Sequence, residues 1–288
     1  MKPVDRLEYA APQDRAPRPG PDGARVLVFF VVNVEEWAIE RPMPRQVLPA
    51  PTNAPVLPDL ANWAWHEYGM RVGFWRMLKA CEARGIRPTL SVNGRVPIAY
   101  PRVAAAARDA GWEFMGHGFR QVPTHSLHDQ EGMVREAVAA ITACTGTPPV
   151  GWLAPGLTQT LETPDLLAKH GIRYCADFVV DDVPVPIRTA HGPLWSMPYS
   201  VELNDIPMMM VQHHRAEELH DRTCAQLDRL LAESATEGCK VMGLAVHPYI
   251  SGVPHRIGVL ERTLDSIARR PGAVFAQGRE ILEWWERG

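Results

Sequence analysis

Asn33, Glu35 and Glu36 close a run of apolar residues, Val26 to Val32, that otherwise reads as a fully buried strand. Two adjacent carboxylates there admit two readings. A strand end needs solvation, and glutamate is a common surface residue. Parallel α/β folds, however, place their chemistry at the C-terminal ends of their strands. The same pattern recurs along the chain, in Asn93-Gly94-Arg95, in Gly116-His117-Gly118, and in His247-Pro248 after an apolar run. A further segment supplies Tyr199, Asn204 and Asp205. Singly each has a dull explanation: a turn pair, a hydrogen-bonded turn histidine, a strand terminus. Together, carboxylates and histidines at successive strand ends would meet at one mouth of a barrel. Scattered surface residues need not do that.

The elements that would carry these residues alternate. Strand patterns at Val26–Val32, Arg87–Gly94, Glu113–Phe119 and Pro149–Gly156 are separated by helical patterns such as Gly73–Gly85, which ends on a C-cap glycine. Later segments, "IRYCADF", "PLWSMPYS", "MMMVQHH", "KVMGLAVHP" and "AVFAQG", read as further strands, with helices near 216–237, 256–270 and the C-terminus. This alternation predicts an α/β fold with a parallel sheet, and the strand count suits a distorted (β/α) barrel. Residues 1–24 read as an extended N-terminal arm and 25–288 as a single domain. The proline-dense stretch 42–58 reads as a long loop, because each proline fixes φ and removes a donor. It is expected to form a lid or an interface, with the arm as a second contact between copies, so a homo-oligomer (dimer or tetramer) is expected.

Composition narrows the partners. With 46% hydrophobic and 22% charged residues and a formal net charge of −3, nothing in the chain attracts nucleic acid or an anionic membrane surface. No segment approaches the ~20 apolar residues that span a bilayer. The N-terminus lacks the apolar core of a secretion signal, and cytoplasmic residence is the expected default. The five cysteines are scattered, without CxxC or a histidine at metal spacing, as expected of free thiols. A small-molecule substrate is the partner the strand ends suggest.

From about Val26 to Trp285 the chain resembles the polysaccharide deacetylase (NodB-homology) superfamily, whose fold is a distorted (β/α) barrel. That family's first-strand Asp pair corresponds to Asn33-Val34-Glu35-Glu36-Trp37 here. Its His-x-x-x-His metal pair reads His117-Gly-Phe-Arg-Gln121, without the second histidine, and its late general-acid histidine corresponds to His247. Its Arg-x-Pro-x-Gly motif has a partial echo around Trp152, without the arginine. More specifically, the chain is similar to the metal-independent allantoinases and cyclic imide hydrolases. Those carry N-x-E-E, NGR, HG-aromatic-R, PYS…ND and HP in order, matched here by Asn33/Glu35/Glu36, Asn93-Gly94-Arg95, His117-Gly118-Phe119-Arg120, Pro198-Tyr199…Asn204-Asp205 and His247-Pro248.

The resemblance implies hydrolysis of a carbon–nitrogen amide bond, by ring opening of a cyclic imide or ureide. Glu35 or Glu36 is the candidate base, with His117 and His247 polarising the carbonyl or protonating the leaving nitrogen. On a straight strand adjacent side chains face opposite ways, so only one glutamate should face the pocket unless the strand has ended. Crowding and aromatic surroundings are expected to raise its pKa toward neutrality. Asn33, Trp37, Asn93, Arg95, Arg120, Trp152, Tyr199, Asn204 and Asp205 are the expected substrate contacts. No metal or other cofactor is expected, since a neutral glutamine amide replaces an imidazole; zinc or another divalent ion on Glu35 and His117 is the alternative. The rival functions are a metal-dependent N-deacetylase of an amino sugar or polysaccharide and a non-catalytic small-molecule or carbohydrate-binding barrel.

Overall fold

The computed structural model describes residues 1–51, 54 and 56–287. Residues 52, 53 and 55 of the proline-rich stretch lie outside the described residues. The chain begins with α1 (Pro3–Arg6), then forms β1 (Val26–Val34), whose nine residues are all buried. Next come α2 (Leu60–Tyr68), a π-helical turn (Gly69–Gly73) and α3 (Phe74–Glu82), which run on as one bent helix. β2 (Thr89–Val92), α4 (Val96–Ala99), α5 (Pro101–Asp109), β3 (Glu113–Gly116), α6 (Gln130–Thr145), β4 (Gly151–Trp152), α7 (Thr163–Lys169) and β5 (Tyr174–Cys175) continue the alternation. β6 (Val185–Ile187) and β7 (Leu194–Ser196) pair antiparallel, and α8 (Ala216–Glu237), β8 (Lys240–Val246), α9 (Pro254–Ala268), β9 (Ala273–Phe275) and α10 (Gly278–Arg287) complete the order.

The sheet runs β6-β7-β5-β4-β3-β2-β1-β8 and is parallel throughout except at β6. β1 is its axis. β8 pairs with Val26–Val32 along one edge, while β2 pairs with Val31–Val34 and β9 with Val26–Val28. Two short strands thus cover one long one. The gap between β7 and β8 is bridged where Asn204 pairs with Ala245, which curls the sheet into a distorted barrel. Apolar residues on both faces of β1 explain why its sequence shows no alternation: Val26, Val28 and Phe30 join one core cluster, Leu27, Phe29 and Val31 another.

Three features depart from expectation. The run Met208–Met210 is not a strand but part of a π-helical turn, Ile206–Val211, because Pro207 removes a ladder donor. The segment after the proline-rich loop, which shows no clear pattern in sequence, forms α2. The arm is not simply extended: Arg6 of α1 is buried, bonds Asp165 at 2.5 Å and donates to the carbonyl of Leu161 at 2.8 Å. Arg18 lies over the Trp285 ring at 4.3 Å. The arm is tied to its own chain.

The bent helix lies unusually close to the loop after β8. A Cβ on Gly69 would meet the Tyr249 nitrogen at 2.6 Å, and one on Gly73 would meet the Pro248 oxygen at 2.1 Å. Side chains at 69 and 73 are excluded by backbone contact, so glycine is required at both places.

Candidate active site

β1 ends at Val34, and beyond it the chain turns inward so that Glu35 and Glu36 both face one cavity. The expectation that only one would face it assumed a straight strand. The cavity holds about 690 Å³, within the range of small-molecule sites. Asn33, Glu35, Glu36, His117, Arg120, Tyr199, Asn204 and His247 all line it.

Glu35 is the centre. Its Oε1 lies 3.8 Å from His117 Nε2 and 3.6 Å from His247 Nε2, and accepts from Gln121 Nε2 at 3.0 Å. Its Oε2 accepts from Trp37 Nε1 at 2.7 Å and from the Tyr249 hydroxyl at 3.4 Å. Each histidine is oriented from behind. His117 donates from Nδ1 to the carbonyl of Leu153 at 2.7 Å, which leaves Nε2 toward the cavity. His247 donates from Nδ1 to Asp205 at 2.6 Å, and its backbone N–H donates to the other Asp205 oxygen at 2.8 Å. Ser251 donates to that oxygen too, so the carboxylate is fully engaged.

Electrostatics follow from this packing. Burial alone would lower the pKa of His247, but the charge and hydrogen bond of Asp205, then the nearby Glu35 carboxylate, push it up to about 9. Burial pushes Glu35 up, yet the neighbouring imidazoles of His117 and His247 outweigh it and hold the carboxyl well below its usual range. The expected rise toward neutrality is therefore wrong for Glu35, because its imidazole neighbours count for more than its desolvation. It is right in direction for Glu36, which burial raises against the partial opposition of Arg120 and Arg95. Glu36 Oε1 lies 3.9 Å from Arg95 and 4.0 Å from Arg120, while its buried Oε2 has no partner.

Five expected substrate contacts stand outside the cavity lining. Trp37 stacks on His66 at 4.4 Å and braces Glu35. Asn93 is consumed by the scaffold: its Oδ1 accepts from the Glu36 backbone N–H at 2.8 Å, and its Nδ2 donates to the His117 carbonyl and to Gln121. Asp205 serves His247. Trp152 is wholly buried against Gly116, where a Cβ would meet its ring at 2.5 Å. Arg95 lies behind Glu36. Four of these hold other side chains in place, and Trp152 fills core.

The structure also adds residues that the sequence pattern did not reveal. His66 on α2 is buried and donates from Nε2 to the Glu35 carbonyl at 3.0 Å. Burial lowers its pKa to about 4, so it is neutral. Tyr249 lines the cavity beside Glu35, and its place two residues beyond His247 was the available signal.

The donor set does not fit the three-ligand divalent site of the metal-dependent deacetylases. The Glu36 N–H fixes the Asn93 amide, whose Nδ2 then faces the Gln121 oxygen, so Gln121 turns its N–H edge to Glu35. A donor stands where a ligand lone pair would be needed. Among the described residues no three His, Cys, Asp or Glu side chains are grouped to hold a metal ion.

No family model matches the chain. It is 24% identical over 302 residues to a putative polysaccharide deacetylase of Schizosaccharomyces pombe, spanning 93% of this chain and 92% of that one. Among solved structures, Puue allantoinase superposes with a TM-score of 0.86 at 25% identity, covering all of this chain and 98% of its own. A probable polysaccharide deacetylase from Pseudomonas aeruginosa PAO1 gives 0.81 at 26% identity, with 92% of each covered. Over nearly its whole length, and in its ordered strand-end motifs, this chain is similar to polysaccharide deacetylases and to an allantoinase alike.

Proposed function

We propose that the chain hydrolyses a carbon–nitrogen amide bond within a ring, of the imide or ureide kind, without a metal. The allantoinase and deacetylases it resembles support a hydrolase acting on non-peptide carbon–nitrogen bonds. The observation that carries the finer reading is Glu35 held between two imidazoles. Its lowered pKa makes it an ionised but weak base. A weak base suits an activated carbonyl with a good leaving group, as in an imide, and offers little to a plain N-acetyl amine.

In this reading Glu35 takes a proton from the attacking water. His117, whose ring is fixed by Leu153, presents Nε2 to the oxyanion and stabilises it. His247, charged at neutral pH through Asp205, gives its Nε2 proton to the leaving nitrogen. The 3.6 Å between Glu35 and His247 lets the abstracted proton pass to the spent imidazole and reset the site. The unpartnered Oε2 of Glu36 awaits an N–H donor of the substrate, which a ureide or imide ring supplies. Asn33, Tyr199 and Asn204, already bonded to one another at 3.2 and 3.3 Å, give the ring a rigid polar wall. Arg120 reaches the rim, where it meets an anionic substrate group.

Turnover of a panel of hydantoins, imides, allantoin and N-acetylated sugars tests this, with activity assayed before and after chelation. Ring opening that survives chelation is the expected result. Chelator-sensitive deacetylation of an amino sugar replaces the reading with the metal-dependent alternative, and no turnover of any compound replaces it with a binding role. A homo-oligomer belongs to the same proposal, and sedimentation of a monomer at micromolar concentration overturns that part.

A further inference from the structure

We propose that Asp177 is a positioning residue for His117, acting through the single peptide unit that joins Leu153 to Ala154. Asp177 follows β5, away from the cavity lining, and its Oδ1 accepts the backbone N–H of Ala154 at 2.8 Å. The carbonyl of that same peptide, on Leu153, accepts the Nδ1–H of His117 at 2.7 Å. Carboxylate, amide and imidazole thus form one chain of hydrogen bonds. A negative charge on the N–H side polarises the amide and makes its oxygen a stronger acceptor, which holds the His117 ring with its Nδ1–H on Leu153 and its Nε2 toward the cavity.

The surroundings of Asp177 argue for a role in charge rather than in shape. It is 6% exposed, none of the ion pairs among the described residues includes it, and its Oδ2 has no partner. The groups that face it are neutral: the Gln159 amide donates to its backbone carbonyl at 3.3 Å, and the thiol of Cys175 and the phenol of Tyr199 are both pushed up partly by its charge. Burial without a cation raises its own pKa to about 7. Such a carboxylate is costly to keep. An asparagine could accept the same N–H at lower cost, so a loop tether alone does not call for an aspartate. On the far side, His117 faces Glu35 at 3.8 Å, and beyond it His247. The chain therefore links a buried charge outside the cavity lining to the carboxylate at the centre of the cavity.

The experiment compares Asp177→Asn with the unchanged protein, both uniformly labelled with nitrogen-15. Its first readout needs no substrate: the Nδ1–H resonance of His117 should move upfield in the variant as the hydrogen bond to Leu153 weakens. The second rests on the proposed reaction. With hydantoin or succinimide, kcat should fall about tenfold, a fraction of a general acid–base contribution, while KM stays within twofold. Melting temperature should hold or rise, because a buried charge has been removed; a merely structural residue would lower it. If Asp177→Asn does not fold, Ala154→Pro cuts the chain at its donor, and φ of −68° at Ala154 already suits proline. The same upfield movement is expected there. An unmoved His117 resonance overturns the proposal. A moved resonance in a protein that opens no ring leaves the coupling standing and overturns the cyclic-amide reading instead.

Discussion

Two buried glutamates sit at opposite ends of one parallel sheet. Glu113 opens β3, and Glu35 follows the close of β1. Both are almost wholly buried, and both carry a carboxyl that desolvation pushes up. At Glu113 every approach is taken. One oxygen accepts from the Tyr174 hydroxyl at 3.0 Å, the other from the Thr89 hydroxyl at 2.8 Å, and both from the Arg279 N–H at the start of α10 at 3.1 Å. These donors are neutral, and the pKa stays raised. At Glu35 the decisive neighbours are ionisable imidazoles at 3.6–3.8 Å, too long for direct bonds, facing a cavity. Burial of a carboxylate is common to both. What separates a cap from a candidate catalyst is whether its partners can change charge and whether a reactant can reach between them.

The sharpest way to break this comparison is to make the same change at both ends. Glu35→Gln should lower kcat by about a thousandfold, within the range for lost general base help, with little loss of stability. Glu113→Gln should leave kcat within twofold but lower stability by about 1–3 kcal/mol, because its new amide N–H meets donors. Steady-state kinetics and thermal melts of both variants decide it. Comparable kcat losses from the two would erase the distinction.

Asp205→Asn probes the charge of the imidazoles and should lower kcat by roughly tenfold to a hundredfold. In the unchanged protein the alkaline fall of kcat should come near pH 9, where His247 loses its proton. Without the aspartate that limb should move toward 6.5. A pH–rate profile that stays put in the variant would assign the limb elsewhere.

A smaller effect appears in stability. The folded pKa of His247, about 9, exceeds its ordinary 6.5. The stabilisation it contributes is therefore complete below about pH 6.5 and lost as pH rises through about 9. His247→Gln should flatten that part of the melting-temperature profile while leaving the profile below pH 6 parallel. Smallest of all is the response to chelation: dialysis against a strong chelator should change kcat by less than twofold. A large loss restored by zinc would show that Gln121 does not prevent metal binding.

Much of the site was legible before the fold because its residues lie at strand ends in a recurring order. Glu35, Glu36, His117 and His247 reach one cavity for that reason. Sequence could not separate residues that touch the cavity from those that hold them. Asn93 and Arg120 look alike as polar groups after strands, yet one is spent on the backbone of Glu36 and the other lines the opening. His66 was hidden because α2 follows a proline-rich stretch and carries polar, aromatic and apolar residues without a clean stripe. Met208–Met210 misled because an apolar run has no period, and strand and helix then differ only through the proline before it.

The close seat of Gly69 and Gly73 on Pro248 and Tyr249 has a consequence for how such a site can vary between related proteins. The helix that carries His66 and the loop that carries His247 meet backbone to backbone, with no side chain between them to absorb an error. A single added methyl at either glycine would act as a wedge, displacing His247 from Glu35 without altering any catalytic group. Variation is thus constrained at two positions that do no chemistry, while changes at Pro42–Arg45, which line the cavity, would reshape what it admits without disturbing that seat.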